Sequence, residues 1–159
     1  MRTILFVCTG NTCRSSMAEG LFRDMINKKG LQKEFNVESA GVFAATGESA
    51  SSQAIEAMER QSIDISDHKS RQLTKEMIDN ADLILAMTND HKRAIISIND
   101  KSIHKTFTLT EFAYENMEKH RDIRDPYGAP VEEYEKSLME IKNALINIIE
   151  KLAEKNEEE

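Results

Sequence analysis

The sequence predicts an α/β domain in which helices cover both faces of a parallel β-sheet. Three observations favour this class. Short apolar runs alternate with segments of helical periodicity, no Gly/Pro/Ser-rich linker or repeat divides the 159 residues, and a long amphipathic pattern closes the chain. Alternating strands and helices are typical of parallel sheets, because each crossover helix packs back onto the sheet. We expect one domain over residues 1–155 and a solvated acidic tail at 156–159.

Four short apolar runs predict the strands. The first strand, at residues 2–8, contains the unbroken run Ile-Leu-Phe-Val-Cys, which is typical of a strand buried on both faces. The later runs predict strands at residues 35–41, 81–87 and 105–109.

Apolar residues spaced three or four apart predict the helices. A helix is expected from about Ser15, with Met17, Leu21 and Met25 on one face and a stop at Gly30. Shorter helices are predicted at 49–58, 73–79 and 88–97. From 130 to 155, one long pattern predicts a C-terminal helix packed on the sheet through Tyr134, Leu138, Ile141, Leu145, Ile148, Ile149 and Leu152.

The composition excludes several classes of function. A net charge of −7 leaves no basic surplus for nucleic-acid binding. No apolar stretch approaches the roughly 20 residues of a membrane span, and the apolar run near the N-terminus is shorter than a secretory signal. We therefore expect a cytoplasmic protein without nucleic-acid or membrane partners. Two cysteines spaced Cys-x4-Cys, without a second pair, make a poor zinc site, so neither metal nor cofactor is expected.

The most informative motif lies where the first strand meets the first helix. The run Cys8-Thr9-Gly10-Asn11-Thr12-Cys13-Arg14-Ser15 surrounds one small volume with a thiol, a guanidinium and backbone N–H groups. A helix N-terminus binds anions and stabilises a nearby thiolate, and arginine presents a planar fork to two phosphate oxygens. We therefore expect inorganic phosphate or sulfate to bind this loop.

Individual loop residues suit that chemistry. Ser15 is placed to hydrogen-bond the Cys8 sulfur, Gly10 permits a tight turn, and Asn11 tolerates a left-handed backbone. The chain has neither the Gly-x4-Gly-Lys motif of nucleotide-binding loops nor a Gly-x-Gly-x-x-Gly fingerprint. The alternative is that Cys8 is an ordinary buried core cysteine.

The segment Asp125-Pro126-Tyr127-Gly128 offers the proton that a thiolate nucleophile lacks. Pro126 stiffens the segment and disfavours helix at Asp125. A carboxyl group beside a phosphate dianion keeps its proton more readily, which suits a general acid. The alternative is a plain Asp-Pro turn.

From Val7 to Ser15 the sequence resembles the signature of the low-molecular-weight protein tyrosine phosphatases. The likeness continues, in order, at residues 17–19, 39–41, 81–87 and 125–127, and so covers nearly the whole chain. It implies a three-layer sandwich with a four-stranded parallel sheet and helices on both faces, the phosphotyrosine phosphatase I-like fold. It also implies an enzyme that dephosphorylates proteins, and we expect a monomer.

The resemblance further implies a role for each site residue. Cys8 would attack phosphorus and form a cysteinyl-phosphate, Arg14 would stabilise the phosphoryl oxygens, and Asp125 would act as general acid and then as general base. The remaining roles are phosphoryl binding by Thr9, Gly10, Asn11, Thr12, Cys13 and Ser15, walls of the entrance at Phe43 and Tyr127, and loop bracing by Asn11, Ser39 and His68.

Each of these supporting roles has a plain alternative. The bracing residues could be a turn former, a cap and an exposed histidine, and the two aromatic residues could serve ordinary packing. For Cys13 the resemblance implies a reversible disulfide with Cys8 that protects the nucleophile from over-oxidation. Its alternative is a small residue that fills the loop.

Thr12 departs from the tyrosine-specific members, which usually carry a bulkier aliphatic residue at this position. It resembles the bacterial protein arginine phosphatase branch, where a small polar residue would accommodate a planar guanidinium. Phosphoarginine is therefore the favoured substrate and phosphotyrosine the alternative. Arsenate reductases share the fold and loop, but they need cysteines beyond Cys8 and Cys13. A phosphate-binding module is disfavoured because both Cys8 and Asp125 are present.

Overall fold

The computed structural model describes residues 1–157 and confirms the predicted three-layer sandwich. Its helices are α1 (Arg14–Lys28), α2 (Ser52–Glu59), α3 (Lys75–Asn80), α4 (Asn89–Ile98), α5 (Leu109–Ala113) and α6 (Val131–Glu157). Its strands are β1 (Arg2–Cys8), β2 (Phe35–Gly41), β3 (Leu83–Ala86) and β4 (Thr106–Thr108), which pair in parallel in the order β2-β1-β3-β4.

Strand β1 is apolar on both faces because each face is covered by helices. Ile4 and Phe6 pack into the larger core with α1, α2, α5 and α6. Leu5 and Val7 point the other way and pack with Ile78 of α3 and with α4. Burial on both faces explains why this strand shows no polar alternation in its sequence.

The long C-terminal helix is confirmed, and all seven of its predicted core residues are buried. Its backbone continues through Glu157, so residues 156 and 157, assigned above to the tail, extend the helix. The rest of the predicted tail, residues 158–159, lies outside the described residues. No helix in residues 1–157 has both the length and the apolar character needed to cross a membrane.

Several boundaries differ from prediction because capping residues end or begin the elements. The helix expected at 49–58 begins at Ser52, since the Ser51 hydroxyl caps it by accepting from the Ala54 N–H group. The fourth strand ends at Thr108, which forms a capping box with Glu111 and starts the unpredicted helix α5. Short 3₁₀ helices at Asp100–Lys105 and Met117–Lys119 were also not predicted.

The strand order creates a crevice at the carboxyl ends of β1 and β3. The chain leaves β1 towards α1 on one face of the sheet and leaves β3 towards α4 on the other face. Open α/β sheets bind ligands where neighbouring strands connect to opposite faces, because the connections diverge there. The Cys8 loop therefore lies at the carboxyl ends of the strands, where folds of this type bind their ligands.

Candidate active site

Cys8 ends β1 as a buried residue, and its sulfur lies 2.8 Å from the hydroxyl oxygen of Ser15 in the first turn of α1. The Ser15 oxygen also accepts a hydrogen bond from the Asn11 side-chain amide, at 2.8 Å. Because that oxygen already accepts one hydrogen, its own O–H group can donate to the Cys8 sulfur. The contact expected between Ser15 and Cys8 is therefore present.

Asn11 fixes the centre of the loop through hydrogen bonds in the protein interior. It is fully buried and adopts a left-handed backbone with φ of 60°. Its amide donates to the Ser39 hydroxyl at 2.9 Å, and its side-chain oxygen accepts from the Arg71 N–H group at 2.9 Å. His68 Nε2 lies 2.6 Å from the Asn11 carbonyl oxygen. The residues expected to brace the loop are thus in contact with it.

The position near the site where only a glycine fits is Gly41 rather than Gly10. Gly10 has no left-handed backbone, and a Cβ there would meet its nearest neighbour, the Thr12 hydroxyl, at 3.8 Å. The conformational freedom expected of Gly10 is therefore unused, because Asn11 makes the left-handed turn. At Gly41 a Cβ would come within 2.3 Å of the Thr9 carbonyl oxygen and 3.0 Å of the Asn11 nitrogen.

Replacing Gly41 with alanine is expected to destabilise the fold by about 3 kcal/mol, because the new methyl group meets backbone atoms that cannot rotate away. The displaced Thr9 and Asn11 would also distort the loop and lower activity. Chemical denaturation and turnover of p-nitrophenyl phosphate measure both effects. Gly10→Ala is the matched comparison and should cost much less stability; equal losses at the two positions would contradict this assignment.

The loop and the start of α1 contain backbone N–H groups that are available to donate hydrogen bonds to a ligand. Cys13 is the N-cap of α1 and makes no side-chain capping hydrogen bond. Within residues 1–157, the backbone N–H groups from Gly10 to Arg14 have no protein acceptor. Unsatisfied N–H groups at a helix N-terminus favour a bound anion. The loop thus has the donors that a phosphoryl group requires.

Arg14 is held beside this loop by a distant segment. Its side chain is 5% exposed, and its Nη1 donates to the Ile123 carbonyl oxygen at 3.0 Å. Its Nη2 lies 3.6 Å from Oδ2 of Asp125, whose side chain is 55% exposed. The guanidinium is therefore fixed, whereas the carboxylate is open to solvent and to a substrate.

The chain before Asp125 is anchored at three successive points. The Thr110 hydroxyl donates to the Arg121 carbonyl, the Ile123 N–H donates to the Met87 carbonyl at 2.9 Å, and the Ser137 hydroxyl donates to the Arg124 carbonyl at 2.9 Å. These contacts place Asp125 next to the loop, which the sequence alone could not show.

Nine of the predicted site residues line one cavity of about 330 Å³, whereas Asn11 and Ser15, which were also expected to bind the phosphoryl group, are buried and do not line it. Phe43 and Tyr127 are 86% and 79% exposed and stand at its mouth, as expected for walls of an entrance. A larger polar cleft of about 610 Å³ lies behind the loop and is not lined by Cys8 or Arg14. The lining of the smaller cavity comprises Cys8, Thr9, Gly10, Thr12, Cys13, Arg14, Phe43, Asp125 and Tyr127.

Cys13 is buried between the loop and α6. Its sulfur lies 3.3 Å from the Tyr134 hydroxyl and 3.7 Å from the Ser51 hydroxyl. Burial and the hydrogen bond to Cys13 raise the pKa of Tyr134 to about 12, so this phenol stays protonated at neutral pH. The Ser51 N–H group also donates to the Thr12 carbonyl at 2.9 Å, which ties the loop to the start of α2.

Sequence reasoning missed the residues that hold the site through main-chain atoms or through the protein interior. Arg71 and Ile123 act through a backbone N–H and a carbonyl, which any residue type would supply. Tyr134 was predicted only as a core residue. A buried phenol at this position carries no sequence signal beyond apolar periodicity.

Fold and site together define an α/β protein with a cysteine–arginine anion loop at the carboxyl end of a central strand. The family model described as "Low molecular weight phosphotyrosine protein phosphatase" matches residues 3–158. The chain belongs to this family, which confirms the predicted enzyme class, a phosphoprotein phosphatase.

Curated relatives match along almost the whole chain. The protein-arginine-phosphatase of Bacillus subtilis (strain 168) is 41% identical over 149 residues, covering 94% of this chain and 95% of that protein. The protein-arginine-phosphatase of Geobacillus stearothermophilus is 44% identical with the same coverage. Arsenate reductase 2 of Staphylococcus haemolyticus is 35% identical, covering 91% of this chain and 93% of that protein.

Solved structures share the fold closely. A YwlE arginine phosphatase mutant with a phosphorylated active-site serine has a TM-score of 0.88 and 40% identity, with 95% of each chain covered. A low molecular weight protein tyrosine phosphatase from T. tengcongensis also has a TM-score of 0.88, with 43% identity over 95% of this chain and 99% of that chain.

Proposed function

We propose that this phosphatase removes the phosphoryl group from phosphoarginine in proteins. The observation that carries the proposal is the small polar side chain of Thr12 on the wall of the cavity that holds Cys8, Arg14 and Asp125. A planar guanidinium bound next to phosphorus needs space and polar surroundings at that wall. The names of the two curated arginine phosphatases support this substrate. Because a tyrosine phosphatase of similar identity also matches, identity alone does not decide between the substrates.

The arrangement supports a two-step reaction. The Cys8 thiolate attacks phosphorus, the P–N bond breaks, and Asp125 gives its proton to the departing guanidino nitrogen. The Ser15 hydroxyl stabilises the thiolate, while Arg14 and the open N–H groups stabilise the equatorial oxygens. Water then attacks the cysteinyl-phosphate, Asp125 takes the proton from that water, and phosphate leaves with Cys8 again a thiolate.

Replacing Thr12 with isoleucine is expected to shift the ratio of kcat/KM for phosphoarginine over phosphotyrosine towards phosphotyrosine by about 10–100-fold. The bulkier branched side chain would crowd the guanidinium plane but leave room for a phenol. The measurement is kcat/KM on matched phosphoarginine and phosphotyrosine peptides for both proteins. An unchanged ratio would show that Thr12 does not select the substrate.

Thr12→Val separates the size of the side chain from its polarity, because valine has nearly the shape of threonine without the hydroxyl. If size decides, Thr12→Val should keep the preference of the native protein. If the hydroxyl orients the guanidinium, Thr12→Val should lose phosphoarginine activity as Thr12→Ile does. A wild-type protein that strongly prefers phosphotyrosine would overturn the proposed substrate while leaving the reaction type intact.

The arsenate reductase alternative is not favoured by the cysteine content. The chain contains only Cys8 and Cys13, both free thiols, so no further cysteine exists to receive a disulfide from the loop. Hydrolysis of the phosphoryl group instead needs a nucleophile, an anion-binding group and a proton donor, for which Cys8, Arg14 and Asp125 are the candidates. We expect phosphorylated proteins to be the partners, and a monomeric state and a cytoplasmic location remain expectations.

Cys13 provides a protective redox partner in this proposal. Peroxide oxidises the Cys8 thiolate to a sulfenic acid with loss of hydroxide, and the Cys13 thiol then displaces water to form a disulfide. We expect peroxide-treated protein to regain most activity with dithiothreitol, whereas Cys13→Ser protein should progress to irreversible oxidation. Mass spectrometry that finds only sulfonic acid at Cys8 of the native protein would contradict this role.

A further inference from the structure

His91 is a buried histidine at the crevice that the proposed reaction does not use. It lies in the first turn of α4 and is 6% exposed. Its Nε2 is 2.8 Å from the hydroxyl oxygen of Thr9, the residue after Cys8, which lines the cavity. Because α4 follows β3 and Thr9 follows β1, this hydrogen bond joins the two sides of the crevice.

The other ring nitrogen determines the direction of this hydrogen bond. Nδ1 of His91 is buried and has no hydrogen-bond partner within residues 1–157. Burial, together with the nearby Arg14 guanidinium, lowers the pKa of His91 to about 4, so the ring is neutral at pH 7 and carries one hydrogen. A buried N–H group without an acceptor is rarer than an unpaired lone pair. The hydrogen therefore belongs on Nε2, and His91 donates to the Thr9 oxygen.

We propose that His91 positions the Thr9 hydroxyl as an additional hydrogen-bond donor to the bound phosphoryl group, a role that rests on the phosphatase function proposed above. A hydroxyl oxygen that accepts from His91 must direct its own hydrogen elsewhere. Thr9 lines the cavity next to Cys8, so an oxygen of a phosphoryl group bound at Cys8 would be a nearby acceptor for that hydrogen. His91 acts only through Thr9 and is a positioning residue.

Binding of inorganic phosphate and turnover of p-nitrophenyl phosphate test this proposal. Thr9→Val removes the hydroxyl and is expected to weaken phosphate binding, measured by calorimetry, about 10-fold, the typical effect of a hydrogen bond to a charged group. His91→Phe keeps a ring but removes the donor and should cause a similar loss. The double variant should lose no more than either single variant, since both remove one interaction. KM should rise more than kcat falls, because the hydroxyl binds the phosphoryl group before and during attack.

Conservative variants distinguish positioning from a general loss of structure. Thr9→Ser and His91→Gln keep a hydroxyl and an N–H donor, and each should bind phosphate nearly as well as the native protein. His120→Gln is the matched control, because His120 Nε2 hydrogen-bonds the Tyr114 carbonyl and does not line the cavity.

Two results would overturn the proposal: Thr9→Val protein that binds phosphate as tightly as the native protein, or losses that multiply in the double variant. If His91→Phe does not fold, the comparison of Thr9→Val with Thr9→Ser and His91→Gln decides by the same criteria. A native protein that does not hydrolyse p-nitrophenyl phosphate would instead contradict the proposed function itself.

Discussion

Replacing Cys8 with serine is expected to lower kcat by roughly 10⁴-fold or more while the loop still binds inorganic phosphate. A serine hydroxyl is a far weaker nucleophile than a thiolate and a far poorer leaving group in the second step. The open N–H groups and Arg14, which we expect to bind the anion, are unchanged by the substitution. Steady-state turnover of p-nitrophenyl phosphate and calorimetric phosphate binding measure the two effects separately.

Cys8→Ala provides the comparison that isolates nucleophilic chemistry. Alanine cannot accept a phosphoryl group, whereas serine can become phosphorylated and remain so, as the related structure with a phosphorylated active-site serine illustrates. We expect intact-mass spectrometry to detect phosphorylated protein for Cys8→Ser after incubation with substrate, and none for Cys8→Ala. A Cys8→Ser enzyme with near-normal kcat would rule out the proposed nucleophile.

Replacing Asp125 with asparagine is expected to lower kcat by about 10²–10⁴-fold on substrates with poor leaving groups. Asparagine preserves the shape of the side chain but cannot supply a proton to the departing atom. The loss should be larger for phenyl phosphate than for p-nitrophenyl phosphate, because nitrophenolate leaves readily without protonation. The experiment compares kcat for both esters in the native and variant proteins.

Asp122 offers a matched control for Asp125. Its carboxylate accepts a hydrogen bond from the Asn89 N–H group at 2.9 Å at the start of α4, and an asparagine oxygen can accept the same bond. Asp122→Asn should therefore leave the dependence on leaving group unchanged. An equal loss on both esters for Asp125→Asn would argue against a proton donor and for a purely electrostatic or structural role.

The secondary structure was predictable from sequence where the pattern of apolar residues is strong. It was not predictable where helix-capping hydrogen bonds determine the boundary between elements. The apolar run at residues 2–8 and the long C-terminal pattern were located almost to the residue, because both report burial directly. Helix α5 was missed because Thr108 and Glu111 form a capping box inside what reads as the end of a strand. The residue types of this segment have a high β-propensity, but the hydrogen bonds of the capping box favour a helix instead.

Distinctive side-chain chemistry made the reacting residues of the site predictable, and the family resemblance pointed to the bracing contacts of Asn11, Ser39 and His68. The thiol, guanidinium and carboxylate of Cys8, Arg14 and Asp125 stand out in a sequence, and the structure brings them together around one cavity. The contact between His91 and Thr9 depends on the strand order, which places α4 next to the loop after β1. No spacing along the chain encodes that proximity.

The contacts of Arg14 and Cys13 also set when, during synthesis, the enzyme gains its activity. Arg14 is held by the carbonyl of Ile123, 109 residues later, and Cys13 contacts Tyr134, 121 residues later. A ribosome that has made only the first hundred residues has therefore released the entire anion loop but none of the segment that orients its guanidinium. We therefore expect a nascent chain of that length to lack phosphatase activity, because the site is complete only after the last helix has emerged and folded onto the sheet.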